Sequence, residues 1–219
     1  MGQYYVPTLI NEDGSIRTLC SHAYDNGLKL MEHSYIGNNF VNAALTLIWK
    51  TPTRVAWIGD YSDEFRGDAY EQKLAHGDFM HYYAAAWSDG REDLRVQPEP
   101  REIFTLRIKR RYLVNHTQKL YLHIGEYIAA NKWQEKGMWN RGKYAPLSTY
   151  DMCVNPLPLL TACGNGRGGG DYHSNYPDYD KIGTWAFDLI ECTDKRPAGY
   201  EPAQYRFTEQ QEPARTCIV

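Results

Sequence analysis

"RVAWIGDYSDE", residues 54–64, is the stretch on which the fold turns. Val55, Ala56, Trp57 and Ile58 form a continuous apolar run that ends at Gly59 and an acidic turn. A run this short without polar alternation reads as a strand covered on both faces. On its N-terminal side, "FVNAALTLIWK" (40–50) reads as a helix capped by Asn38 or Asn39 and stopped before Pro52. Earlier still, "QYYVPTLI" (3–10) and "IRTLC" (16–20) flank Asp13-Gly14, the signature of a hairpin, with Pro7 marking an edge position.

On the C-terminal side, residues 68–90 read as a helix with Met80, Tyr83, Ala84 and Trp87 on one face. The polar, proline-containing residues 91–102 read as a linker. Phe104, Leu106 and Ile108 alternate with Thr105, Arg107 and Lys109, which predicts a long half-exposed strand. "NHTQ" (115–118) turns it into "KLYLHI" (119–124), a second hairpin. Asn155-Pro156 opens a short helix, because proline at the first helical position lacks only a hydrogen that would be unpaired there. Gly164 is its expected stop, "KIGTWAFDLIECTD" (181–194) reads as a further strand, and residues 201–219 as an extended polar tail.

These elements imply one α+β domain over residues 1–200, with a mixed, largely antiparallel sheet and a few helices. Two parts share an order of signals. Hairpin, helix and strand recur in 3–64 and 110–197, with a helix and linker (68–102) between them. Val41-Asn42 echoes Val154-Asn155, and Trp57/Asp60 echoes Trp185/Asp188. An internal duplication with pseudo-twofold symmetry is one reading of this echo, and chance identity is the other.

Composition narrows the function classes. Hydrophobic residues are 42% and charged residues 23% of 219, which supports a packed core. A net charge of −3 gives no general attraction to nucleic acid or anionic membrane. Arg107, Lys109, Arg110, Arg111, Tyr112, Tyr121 and Tyr127 are the residues from which a nucleic-acid face would be built, and the overall charge disfavours it. No apolar run reaches the roughly 20 residues of a membrane span. The opening lacks the basic start and apolar core of a signal peptide. Five widely spaced cysteines without a CxxC pair argue against structural zinc and for a reducing, cytoplasmic setting.

The least ordinary stretch is "GNGRGGGDYH" (164–173), with five glycines among residues 164–170. Gly164, Gly166 and Gly169 satisfy GxGxxG, but a dinucleotide site needs a strand before and a helix after. Here a proline-containing helix precedes it. No Lys-Ser/Thr follows, so it is no Walker loop. What remains is a bare-backbone concavity. Successive glycines can turn several N–H groups toward one anion, and Arg167 can add a bidentate fork. The candidate ligand residues are Gly166, Arg167, Gly168, Gly169, Gly170, Asp171, Tyr172 and His173, and the alternative is a surface loop without a ligand.

The opening "MGQYY", together with "NGLKLMEHS", "WIGDYSDE", "YLVNHTQKLYL", "GNGRGGGDY" and "IGTWAFD", resembles a scattered group of bacterial and fungal proteins. That group has an MGQYW-like start, a VN-strand hairpin, an RGGGD loop, a WAGD strand and a GDYAED stretch. The resemblance covers about half of the chain in pieces. It departs at Phe187, where the group has glycine, and in the order of the stretches. It implies that the glycine loop is a shared feature and carries no activity with it.

Two further sets complete the candidates. Asp60, Asp63 and Asp188 at strand ends are the residue type that holds Mg²⁺ or Ca²⁺, or else they are solvated acidic turns. His76, Asp78 and His81 lack the i, i+4 spacing of two ligands on a helix, and nothing in the sequence pairs Cys163 with a base. The functional expectation is a binding protein for a small anionic, nucleotide-like ligand, gripped by Arg167 and the loop amides in a cleft facing Asp60 and Asp188. The rivals are a metal-assisted phosphoester hydrolase, with a divalent metal held by Asp60, Asp63, Asp171 and Asp188, and a module that docks a partner protein.

Overall fold

The computed structural model describes residues 3–62, 73–74, 78–89, 93–134, 151–164, 172 and 177–207. Its centre is the strand expected from the opening stretch, β3 (Thr53–Gly59). β3 pairs antiparallel with β1 (Tyr5–Ile10) through Tyr5↔Gly59 to Ile10↔Arg54. β2 (Ile16–Thr18) continues the sheet beyond β1. The other edge of β3 is shared by two strands. Its start pairs antiparallel with β9 (Leu189–Thr193) at Thr53↔Ile190, and its end pairs parallel with β8 (Ala162–Cys163) at Trp57↔Ala162 and Ile58↔Cys163. From β9 the sheet runs on through β4 (Tyr112–Asn115) and β5 (Leu120–His123) to β10 (Glu201–Pro202). Two shorter strands, β6 (Trp133–Gln134) and β7 (Asp151–Met152), pair separately. The fold is α+β with a mixed, mostly antiparallel sheet.

Alternation along β1 and β3 sends side chains into two cores. Tyr5, Leu9, Val55 and Trp57 join the larger one, with Phe40, Leu157, Leu160 and Trp185. Val6, Ile10, Ala56 and Ile58 join the smaller one, with Phe79, Tyr82, Ala86 and Phe187. Both strands are therefore covered on both faces, which is why they contain no polar alternation. Pro7 fits inside β1 because β2 pairs only from Thr8 onward. The Tyr5 N–H points away from β3 to the Leu28 carbonyl, and the Pro7 nitrogen, two residues on, faces the same unpaired side.

The helices begin where the sequence caps them. A short 3₁₀ turn (Ser21–Tyr24) and α1 (Leu30–His33) lead into α2 (Asn39–Leu47). Asn38 Oδ1 accepts from Phe40 N and Val41 N at 2.8 and 3.3 Å, and Asn38 Nδ2 donates to Asn26 and His33. α3 (Phe79–Ala86) is capped by Asp78, which accepts from His81 N. It buries Phe79, Tyr82 and Ala86, so its inner face is rotated from the expected one, and Met80 is exposed. α4 (Arg101–Ile108) replaces the first part of the strand expected across 103–115, whose last part is β4. α5 (Ile124–Asn131) follows β5. α6 (Pro156–Leu160) starts at Asn155, whose side chain accepts from Leu157 N. It stops at Thr161, earlier than Gly164, because Ala162 and Cys163 leave the helix to pair with β3.

The strand expected over 181–194 shrinks to β9, since residues 182–188 form consecutive turns. The Trp57/Asp60 echo therefore falls on a strand end, and Trp185/Asp188 on turns. The first part of the tail belongs to the fold: β10 pairs parallel with β5, and Phe207 is buried, its N–H on Asn131 Oδ1.

Candidate functional site

β3 and β8 run parallel and end side by side, at Gly59 and at Cys163 followed by Gly164. The carboxyl ends of parallel strands are where ligands collect in α/β sheets. Both glycines are approached closely by side-chain ends. A Cβ on Gly59 would lie 2.3 Å from Gln3 Nε2, and one on Gly164 would lie 2.3 Å from the Tyr5 hydroxyl. The tight fit pins the two strand ends against the start of the chain. Tyr5 Oη donates to Gln3 Oε1 at 3.1 Å, Ser62 Oγ donates to Gly59 O at 2.6 Å, and Tyr4 N donates to Asp60 Oδ1 at 3.0 Å. Tyr83 of α3 donates its hydroxyl to Asp60 O at 2.8 Å.

The glycine run starts at the same place. Tyr172 Oη donates to Gly164 O at 3.0 Å. The Tyr172 ring is buried and tilts against Tyr179, with centroids 5.7 Å apart. Tyr172, one of the candidate ligand residues, is thus engaged with Gly164 and Tyr179. Gly166, Arg167, Gly168, Gly169, Gly170, Asp171 and His173 lie outside the described residues, as do Asp63 and His76. Residues far apart in the chain, Gln3–Tyr5, Gly59–Ser62 and the pair Gly164 and Tyr172, converge here. They fall in three of the stretches on which the resemblance rests. Gln3, Tyr5, Ser62 and Tyr83 were not legible as site residues, since only the pairing of β1, β3 and β8 brings them together. The MGQYY opening was the one signal pointing to Gln3 and Tyr5.

Asp188 does not belong to this site. Val55 N donates to Asp188 O near the start of β3, whereas Asp60 follows its end. Five residues of strand separate the two levels, about 17 Å. The pseudo-symmetric pairing of these carboxylates around one metal is therefore corrected. Asp188 is fully buried and occupied: Asn115 Nδ2 and Gln118 Nε2 donate to Oδ2 at 2.7 and 2.6 Å, and Lys73 Nζ lies 3.0 Å from Oδ1. Lys73 also donates to Thr184 O, and Arg54 to Phe187 O. The buried charge is balanced by an ammonium and by amide donors, and it ties residues 184–188 to the sheet. Among the described residues, no group of three or more His, Cys, Asp or Glu is placed to hold a metal.

The basic and aromatic set is divided between packing and solvent: Lys109 and Arg110 are exposed, while Arg111, Tyr121 and Tyr127 are built into the fold. The Arg111 guanidinium sits 4.3 Å from the Trp49 ring centre and pairs with Glu99 at 2.6 Å, and Glu99 also holds Arg107. Tyr121 and Tyr127 are buried, and Tyr127 donates to Val154 O. Cys163 is buried in β8. Among the described residues, no helix is long and apolar enough to cross a membrane. No protein-family model, curated protein or solved structure matches the chain.

Proposed function

We propose that the chain is a binding protein for a small anionic, nucleotide-like ligand, held at the carboxyl ends of β3 and β8. The observation that carries this reading is the convergence of Gln3–Tyr5, Gly59–Ser62 and the pair Gly164 and Tyr172 at the ends of a parallel pair of strands. The bond from Tyr172 to Gly164 joins the two described residues that flank the Gly166–Gly170 run. The amides of that run and the Arg167 guanidinium are the donors for the anion, and His173 is a neighbouring polar partner. Asp60 is already committed to Tyr4 N, which lowers its availability as a competing anion. The setting proposed is cytoplasmic, in keeping with the buried thiols of Cys153 and Cys192.

The test is a thermal-shift titration of the whole chain with inorganic phosphate and a panel of nucleoside mono-, di- and triphosphates. A ligand at 100 times its Kd stabilises by about 2.7 kcal/mol, enough for a clear rise in Tm. Arg167→Ala should remove that rise while leaving the ligand-free Tm unchanged. No response from any member of the panel, or an equal response in Arg167→Ala, would overturn the reading. Phosphate release from a nucleotide only in the presence of Mg²⁺ would replace binding by metal-assisted hydrolysis. Stoichiometric capture of a partner protein without any ligand response would favour the docking module.

A further inference from the structure

A second polar cluster lies at the opposite part of the sheet. His116 is the first residue of the turn between β4 and β5, Glu191 lies on β9 opposite Val114, and Tyr200 precedes β10. His116 Nε2 is 2.8 Å from Glu191 Oε2, and His116 Nδ1 is 3.0 Å from Tyr200 Oη. The tyrosine ring meets the imidazole edge-on, with centroids 5.7 Å apart at 81°. The base is fixed in place, since His116 N donates to Leu189 O and Asn115 Oδ1 accepts from Gln118 N across the turn.

These contacts select one protonation pattern for neutral imidazole. A carboxylate only accepts, so Nε2 carries the hydrogen donated to Glu191, and Nδ1 is left to accept from the Tyr200 hydroxyl. Hydroxyl, imidazole and carboxylate then stand in the order of an activated nucleophile, its base and the group that orients the base. The cluster is reachable: the His116 and Glu191 side chains are 24% and 17% exposed. A side chain added at the neighbouring Gly199 would find nothing within 4 Å, so open space adjoins Tyr200.

We propose that Tyr200 is a nucleophile that takes an acyl group from an uncharged activated ester, with His116 as its general base and Glu191 as the positioning residue. Tyr200 Oη attacks the ester carbonyl carbon as its proton passes to His116 Nδ1. Glu191 balances the imidazolium through Nε2–H. The C–O bond to the leaving group breaks with its electron pair on the departing oxygen, which takes the proton from Nδ1. The products are O-acyl-Tyr200 and the free alcohol. An uncharged ester suits a cluster that already contains a carboxylate, which would repel a phosphate.

The test uses the whole chain and p-nitrophenyl acetate. The expected result is a burst of one nitrophenolate per chain and a hydroxylamine-labile acetyl group mapped to Tyr200 by peptide mass spectrometry. Tyr200→Phe should abolish the burst. His116→Gln retains a hydrogen-bonding side chain without a base and should slow acetylation at least about a hundredfold, the low end of general-base effects. The parent rate should rise with pH in a step that vanishes in His116→Gln. Glu191→Gln should lower the plateau and keep the step. Unchanged melting of Tyr200→Phe shows that the fold is intact. Acetyl spread over exposed tyrosines, or undiminished at Tyr200 in His116→Gln, overturns the proposal.

Discussion

Phe187 is a residue in an unfavourable backbone state. Its φ is 63°, in the left-handed region that side chains with a Cβ enter at a cost of about 1–2 kcal/mol. The strain is held by what surrounds it. Phe187 N donates to Val55 O at 2.8 Å, and its ring packs edge-on against Phe79 and tilted against Tyr82, with centroids 6.2 and 5.9 Å away. Glycine is the residue that adopts such a φ freely. Truncation should therefore invert the usual order of side chains. Phe187→Ala loses the packing and keeps the strain, whereas Phe187→Gly loses the packing and relieves it. Urea denaturation should find Phe187→Gly more stable than Phe187→Ala by about 0.5–1 kcal/mol. Equal stabilities, or alanine ahead, would show that the left-handed backbone stores no strain.

Among the elements, α4 is where local pattern misled. Phe104, Leu106 and Ile108 fit a period of two, so a strand was the natural reading. The pair at i, i+4, Phe104 and Ile108, also fits a helix, and both are fully buried. Leu106 decides between the two periods: a strand would place it with its neighbours, yet it is 77% exposed. What selects the helix is tertiary. Arg107 reaches Glu99 from the last turn, and Arg111 reaches the same carboxylate from beyond the helix while lying against Trp49 and Phe104. Leu106→Glu should change stability by less than about 0.5 kcal/mol, whereas Phe104→Ala should cost about 3–5 kcal/mol in the same denaturation experiment. A large penalty for Leu106→Glu would restore the strand. By contrast, the start of α6 was legible at Asn155 and that of α2 to within Asn38 or Asn39, because such side chains bond amides only two or three residues away.

Over the whole molecule, burial sets an alkaline limit on stability. Desolvation pushes the Cys192 thiol up to about 12, with Arg111 opposing it weakly, and raises Cys153 further still. Burial also raises the Tyr127 and Tyr205 hydroxyls. Each group stays protonated in the folded chain at a pH where the unfolded chain releases its proton. Stability is therefore fully present below about pH 9 and falls as pH rises toward about 12, by about 1.4 kcal/mol per pH unit for each thiol. Urea midpoints measured from pH 8 to 11 should show this decline, and Cys192→Ala should reduce its slope. A flat profile would mean that these thiols are not shielded from water. At neutral pH, Cys20, the only partly exposed thiol among the described cysteines, should react first with a thiol reagent.

Information carried within a few residues was readable from the chain alone: the twice-covered strand β3, the Asp13-Gly14 hairpin, the helix starts at Asn155 and at Asn38 or Asn39, and the α+β class. Each rests on bonds or periodicities spanning at most a turn or a strand. Contacts between distant segments decided the rest. Ala162–Cys163 became a strand only because β3 offered a free edge beyond β9. Asp188 became a buried anchor only because Lys73, Asn115 and Gln118 surround it. Gln3, Gly59, Gly164 and Tyr172 became one place only through the register of three strands, and a register is set by what the opposing strand presents, which no single stretch of sequence contains.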